Sequence, residues 1–149
     1  MLDTLAPLGL MAATAFIAAT VFPAQSELVF VGLLAAKSVS PLALFVVASL
    51  ANTAGAFTNW LIGRLIAGGG ITRLPVRLRP TPEQMAKGEA QFKRWGWVSL
   101  VFSWLPVVGD IATVAAGALH YPAGRFLLLV GLGKAARYGA LWAGYAVMV

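Results

Sequence analysis

Four charged residues lie inside apolar stretches of the chain, and their types are those that bind anions or move protons. Glu27 and Asp110 are acids, whereas Lys134 and Arg137 are bases three positions apart, which places both on one face of a helix. An ionised group at the bilayer centre costs at least about 2.5–3.5 kcal/mol on insertion scales, so such residues pair or face water. The bases can hold an anionic head group, Arg137 as a bidentate partner and Lys134 as a point charge. Glu27 or Asp110 can then take up and release a proton.

The same charges have a second interpretation, as a static network of buried ion pairs that fixes the fold and moves nothing. Arg64 follows an apolar stretch and can contact a lipid phosphate, or it can extend to the head groups with no specific partner. Asn52 and Asn59 are predicted to line the polar site or to cap interrupted main chain.

The composition indicates an integral membrane protein. Of 149 residues, 60% are hydrophobic and 11% are charged, whereas soluble domains carry about 25% charged residues. The chain has no cysteine, one histidine and five acids, which excludes disulfides and leaves little for a metal site. We therefore predict no metal and no cofactor. The net charge of +6 is typical of membrane proteins with basic cytoplasmic loops, and we predict no nucleic-acid binding.

Apolar segments of two lengths alternate along the chain. The long ones can cross a hydrocarbon core of about 30 Å, and they comprise residues 4–24, 41–63 and 126–149. The short ones cannot, and they comprise residues 28–36 and 97–109. We predict one membrane domain over the whole chain, made of a first half (1–63), a basic loop (64–96) and a second half (97–149).

The basic loop is predicted to face the cytoplasm, because residues 64–94 hold seven of the eleven basic residues. Within it, Thr81, Pro82 and Gln84 form the pattern of a helix N-cap, first residue and capping-box partner. This helix is predicted to be amphipathic and basic, and to lie on the membrane surface against anionic lipids. The alternative is a loop helix with ordinary packing.

An internal repeat relates the two halves. The segment FPAQSELVFVGLLAAKSVSPLALFVV places Pro23 four residues before Glu27, and LPVVGDIATVAAGALHYPAGRFLLLV places Pro106 four residues before Asp110. Pro106 and Gly109 break a helix so that the chain can turn. Short, proline-broken apolar segments in matching places are typical of half-helices that meet inside the bilayer. The predicted fold is an all-α integral membrane protein with two re-entrant helical hairpins in an inverted repeat, each followed by a transmembrane helix.

The segment RWGWVSLVFSWLPVVGDIATVAAGALHYPAGRFLLLVGLGKAARYG resembles the YqaA-like branch of the DedA superfamily, which is related to the eukaryotic VTT-domain (SNARE-associated Golgi) proteins. In the first half, FPAQSELVFV and NTAGAFTNWLIGR are similar to stretches of the same branch. The resemblance covers roughly residues 15–145.

The resemblance implies a multi-pass protein of the bacterial inner membrane that binds or translocates an anionic lipid carrier, such as undecaprenyl phosphate, with proton coupling. Glu27 falls where the family has its first-hairpin acid. The chain departs from the wider family at Ser103 and Gly109, where arginines are usual, and at Ala56, where an acid is usual. Asp110, Lys134, Arg137, Asn52 and Asn59 are the polar residues that this branch has instead.

An enzyme is not predicted. The stretch VGLGKAA lacks the spacing and the hydroxyl residue of a phosphate-binding loop, and neither a nucleophile elbow nor a His-Glu-x-x-His pair is present. The leading prediction is lipid-carrier binding or transport in envelope homeostasis. The alternative is a non-transporting structural or envelope-assembly membrane protein whose buried charges only stabilise the hairpins. The few predicted spans make a homodimer a further hypothesis.

Overall fold

The computed structural model describes residues 2–20, 25–73, 75–76, 79–105 and 108–149. Within these ranges the chain forms α-helices and one 3-10 turn, and no strand. The helices are α1 (Leu2–Ala18), α2 (Ser26–Ala35), α3 (Pro41–Ala67), α4 (Pro82–Trp95), α5 (Val98–Val101), α6 (Val108–Ala118) and α7 (Ala123–Met148), and the 3-10 turn is Gly70–Arg73. The predicted all-α class is confirmed.

Helix α3 is the central element and packs against α1, α6 and α7. Ser40 caps its N-terminus by accepting a hydrogen bond from the Ala43 amide (3.1 Å), and Pro41 supplies a first residue that needs no amide partner. Its 27 residues extend about 40 Å, more than the about 30 Å of a hydrocarbon core. In the described part of the chain, α3 alone is both long and apolar enough to cross a membrane.

Small residues let α3 approach its neighbours at backbone distance. A Cβ added at Gly55 would collide with the Phe16 carbonyl of α1, and one at Gly63 with the Val114 carbonyl of α6. The contact with α6 is reciprocal, since a Cβ at Gly117 would collide with the Trp60 carbonyl of α3. Close packing through small residues is how helices associate where burial from water contributes little.

Replacing Gly63 with alanine is therefore expected to lower the free energy of unfolding by about 1–3 kcal/mol, the usual cost of overpacking. Thermal unfolding in detergent measures the change. Gly144→Ala is the matched control, because no atom lies within 4 Å of the added Cβ and it too is a glycine of a long helix. Equal midpoints for the two variants would contradict this account of the α3–α6 contact.

Helix α1 is shorter than the apolar segment 4–24 predicted as a span. It ends at Ala18 after 17 residues, a length of about 25 Å. Asn52 and Asn59 of α3 bind carbonyls at this helix end, as described below, and such tertiary contacts leave no trace in a hydropathy pattern. The helix packs on α2 as well as on α3.

Helix α4 begins as predicted. Thr81 accepts a hydrogen bond from the Gln84 amide (3.2 Å), and Gln84 Oε1 accepts one from the Thr81 amide (2.8 Å). However, one face of α4 packs on α6, where a Cβ at Gly88 would meet the Ile111 side chain at 2.6 Å. That face of α4 is thus covered by protein. Trp95, the last residue of the helix, is exposed.

Candidate functional site

An ion pair joins the first turn of α2 to the middle of α7. Glu27 pairs with Arg137, as the charge pattern predicts, and the two side chains are 40% and 22% exposed. The position of Glu27 is favourable for an acid, because the free amides at a helix N-terminus carry partial positive charge. The pair therefore holds the start of α2 against α7.

A hydroxyl and amide chain lies directly beside this ion pair. The Tyr138 hydroxyl donates to Ser26 Oγ (3.0 Å), and Asn52 Nδ2 donates to the Tyr138 hydroxyl (3.3 Å) and to the Ala15 carbonyl (2.9 Å). All three side chains are buried. This chain of hydrogen bonds connects α7 to α2, α3 and the end of α1.

Ala15 needs this partner because α1 stops one turn later. The Ala19 amide bonds to Phe16 (3.2 Å) rather than to Ala15. The orphan carbonyl of a helix end must find another donor when it is buried. Asn59 binds a second carbonyl just after α1. Its Nδ2 donates to the Ala19 carbonyl (2.9 Å) and to Thr113 Oγ1 (3.3 Å). Of the two predicted roles, both asparagines perform the capping of interrupted main chain.

Lys134 caps main chain in the second half. Its ammonium donates to the Ser103 carbonyl (3.2 Å), in the turn that follows α5, and the residue is only 3% exposed. A Cβ at Gly133 would collide with the Val101 carbonyl, so α7 lies directly on this turn. The lysine thus performs for α5 the function that Asn52 performs for α1.

Within the described ranges, the second acid, Asp110, is not paired with a base of α7 as Glu27 is. Asp110 stands in the first turn of α6 and is close enough to Lys134 for an electrostatic interaction. Among the described residues, however, it forms no ion pair within 4.0 Å. The ammonium of Lys134 instead donates to the Ser103 carbonyl.

The remaining predicted site residues are separate or structural. Arg64 is exposed near the end of α3, where its guanidinium lies 5.0 Å from the Trp60 ring centre. It lies twelve residues beyond Asn52, about 18 Å along the helix, and so away from the ion pair. Gly109 is buried, and a Cβ there would collide with the Ser103 carbonyl, which leaves no room for a larger side chain. Pro23 and Pro106 lie outside the described residues.

Sequence reasoning missed Ser26 and Tyr138, the buried hydroxyls next to the ion pair. Each directly adjoins a predicted charge, Glu27 or Arg137, and that adjacency was the available signal. No cluster of three or more metal-binding side chains occurs where the structure describes the chain. The described site therefore consists of an acid–base pair, Glu27 with Arg137, next to the buried hydroxyls of Ser26 and Tyr138.

Comparison with known proteins places the chain in a family. The family model for the VTT domain matches residues 22–145. "Inner membrane protein YqaA" of Escherichia coli (strain K12) and that of Shigella flexneri are each 35% identical over 129 residues, or 87% of this chain and 84% of the relative. An uncharacterized protein of Haemophilus influenzae is 35% identical over 135 residues, or 86% of this chain and 80% of the relative. No solved structure gives a significant match. The chain belongs to the VTT-domain family, in the YqaA-like branch of the DedA superfamily.

Proposed function

We propose that the protein is a multi-pass protein of the bacterial inner membrane that binds and translocates an anionic lipid carrier. Two observations support the membrane location: a related protein is named an inner membrane protein, and α3 has the length and composition of a span. The basic segment 64–94 follows α3 and is assigned to the cytoplasmic side by its excess of Lys and Arg.

In this proposal α1 with α2, and α5 with α6, are the two re-entrant hairpins, and α3 and α7 are the spans that follow them. The capped carbonyls support this assignment. Main chain that ends a helix at membrane depth must be bound by protein groups, because no water is available there. Asn52 and Asn59 of α3 bind the end of α1, and Lys134 of α7 binds the turn after α5. The contacts of α3 with α6 and of α7 with α2 interlock the halves.

The Glu27–Arg137 ion pair is the observation that carries the proposed mechanism. An anionic phosphate competes with the Glu27 carboxylate for the Arg137 guanidinium, whose planar fork suits both. The displaced carboxylate then takes up a proton, because an unpaired charge in an apolar setting is costly. Release of the lipid and of the proton restores the ion pair. A polyprenyl phosphate such as undecaprenyl phosphate has the required single anionic head.

Asp110 is assigned the second proton site, since it is the intramembrane acid without an ion pair in the described residues. Lys134 supplies positive potential near it while holding the turn at Ser103. The exposed basic residues of α4 are proposed to bind anionic lipids at the surface, and a homodimer, testable by crosslinking in a bilayer, stays a prediction.

A second candidate function is structural: the charges fix the fold, and the protein supports envelope assembly without transport. The role of Lys134 as a main-chain cap favours this candidate, because the hydrogen bond to Ser103 stabilises the turn whether or not a lipid binds. Under this alternative, loss of Glu27 or Asp110 lowers stability and expression, and neutralising the basic loop has the larger effect on function.

Flipping of a fluorescent polyprenyl phosphate in proteoliposomes, with and without a pH gradient, separates the two. The proposal expects flipping by the wild type that the gradient accelerates, and loss of that flipping in folded Asp110→Asn protein. Arg125→Gln is the control, since Arg125 is an exposed base at the start of α7. Wild-type protein that is folded but does not flip the lipid under either condition would support the structural candidate.

A further inference from the structure

A cavity separate from the ion pair opens at the N-terminal end of α3. It has a volume of about 530 Å³ and lies among the end of α2, the start of α3 and the last turns of α7. Its walls are mainly apolar, and they include Leu34, Val39, Trp142 and Ala146. Of the described residues that line it, Lys37 carries the one charged side chain. The basic segment 64–94 follows the opposite end of α3, so the cavity and that segment occupy different ends of the helix.

Lys37 stands in a conformation that a residue with a Cβ rarely adopts. Its φ is 50° at the end of α2, where its amide donates to the Leu34 carbonyl (3.1 Å). Glycine or asparagine is usual at such a helix end. A lysine held there against the steric preference of the backbone points to a use for its side chain. The side chain is exposed and has no acid within 4.0 Å in the described residues.

In the second half, side chains of α3 and α4 pack on the residue next to the corresponding position. His120 follows α6 as Lys37 follows α2, and its φ is 59°. There the Trp60 indole nitrogen donates to the Tyr121 carbonyl (3.0 Å), and the Phe92 ring of α4 packs edge-on against Tyr121 with ring centres 5.4 Å apart. The cavity beside Lys37 is lined by Trp142 of α7, as the second-half site is lined by Trp60 of α3. Among the described residues, however, no helix equivalent to α4 places an aromatic ring over this cavity.

We infer that this cavity binds one membrane lipid with an anionic phosphate head group. The head group pairs with Lys37, and the start of the acyl chain lies against Trp142 and Leu34. A tryptophan and a tyrosine, Trp142 and Tyr145, line the cavity, and these residue types concentrate at the level of lipid head groups. The inference rests on the membrane placement proposed above, but it does not depend on transport at Arg137.

Native mass spectrometry of the detergent-solubilised protein tests the inference with two lipids of identical chains, phosphatidylglycerol and phosphatidylcholine. The wild type is expected to bind phosphatidylglycerol more tightly. In Lys37→Met, the ratio of the two affinities should fall by about fivefold, because one lysine near a charged lipid surface contributes about 1 kcal/mol. Ala146→Trp, which fills the cavity, should weaken binding of both lipids. Arg125→Met removes an exposed base elsewhere and should change neither.

Three results of the lipid-binding comparison would overturn the inference. The first is a wild type with no preference for phosphatidylglycerol, and the second is an equal loss in Lys37→Met and Arg125→Met. The third is a preference that disappears in Arg137→Gln but survives in Lys37→Met, which would place the bound lipid at the central ion pair. Failure of the flipping assay leaves this binding measurement unchanged, so failure of the proposed function and failure of this inference are distinguishable. A change of oligomeric state in Ala146→Trp with lipid binding intact would make the cavity an interface between copies and also refute the lipid site.

Discussion

Replacing Arg137 with glutamine is expected to weaken binding of a polyprenyl phosphate by about 10- to 150-fold and to abolish its flipping, because a hydrogen bond to a charged partner contributes about 1.5–3 kcal/mol. Arg137 is the base that an anion can reach, since its present partner, the Glu27 carboxylate, is itself an exchangeable anion and the pair is partly exposed. Glutamine keeps a donor but loses the charge and the bidentate fork. Binding of a fluorescent polyprenyl phosphate to the purified protein measures the effect.

Arg125→Gln is the matched control for Arg137→Gln, as it removes an exposed positive charge from the same helix. It should bind and flip the lipid as the wild type does. Thermal unfolding in the same detergent shows whether each variant is folded. Arg137→Gln protein that is folded and still binds the lipid within a factor of about two, against the at least tenfold loss expected from one charged contact, would remove Arg137 from the site.

Replacing Lys134 with methionine is expected to act mainly on stability. The substitution removes the Lys134 hydrogen bond to the buried Ser103 carbonyl and takes a nearby cation from Asp110. An unsatisfied buried polar group costs about 1–3 kcal/mol. We therefore expect the free energy of unfolding in detergent to fall by about that amount, measured by thermal or denaturant unfolding. Loss of the cost of burying the ammonium offsets part of the effect.

A double-mutant cycle with Asp110→Asn separates the two causes. If the charge of Asp110 contributes, the double variant should lose less stability than the sum of the single variants, because asparagine no longer needs a nearby cation. If only the carbonyl cap matters, the effects should add. Lys134→Met protein as stable as the wild type would show that the cap at Ser103 is dispensable and would contradict the structural role given to Lys134.

Elements governed by local chemistry could be predicted from the sequence. The start of α4 depends on Thr81, Pro82 and Gln84, which lie within four positions of one another, so its N-cap was predicted correctly. Helix α3 was predicted from an uncharged and mostly apolar stretch, and the structure extends it from residue 63 to Ala67. The acids also stand where the repeat places them, in the first turns of α2 and α6, where the helix ends favour negative charge.

The partners of the polar residues required the tertiary structure. Lys134 and Arg137 share a helix face, and charge alone cannot tell which acid each will meet or whether a carbonyl competes for it. The early end of α1 could not be predicted for the same reason. The asparagines that bind carbonyls at this helix end, Asn52 and Asn59, are 37 and 40 positions away in sequence. Contacts of this kind depend on how the helices pack. Hydropathy and residue spacing predict where helices lie along the chain, but they do not predict which helices touch.

The proposed exchange of the Glu27 carboxylate for a phosphate at Arg137 is tested most directly by the number of protons that the protein takes up when the lipid binds. Isothermal titration of the purified protein with a polyprenyl phosphate, in two buffers of different ionisation enthalpy, gives the number of protons taken up on binding. The account predicts net proton uptake by the wild type. It predicts that the Glu27→Gln variant still binds the lipid but takes up fewer protons, since the displaced group can no longer be protonated. Equal proton uptake by wild type and Glu27→Gln, with the lipid bound by both, would contradict the proposed exchange.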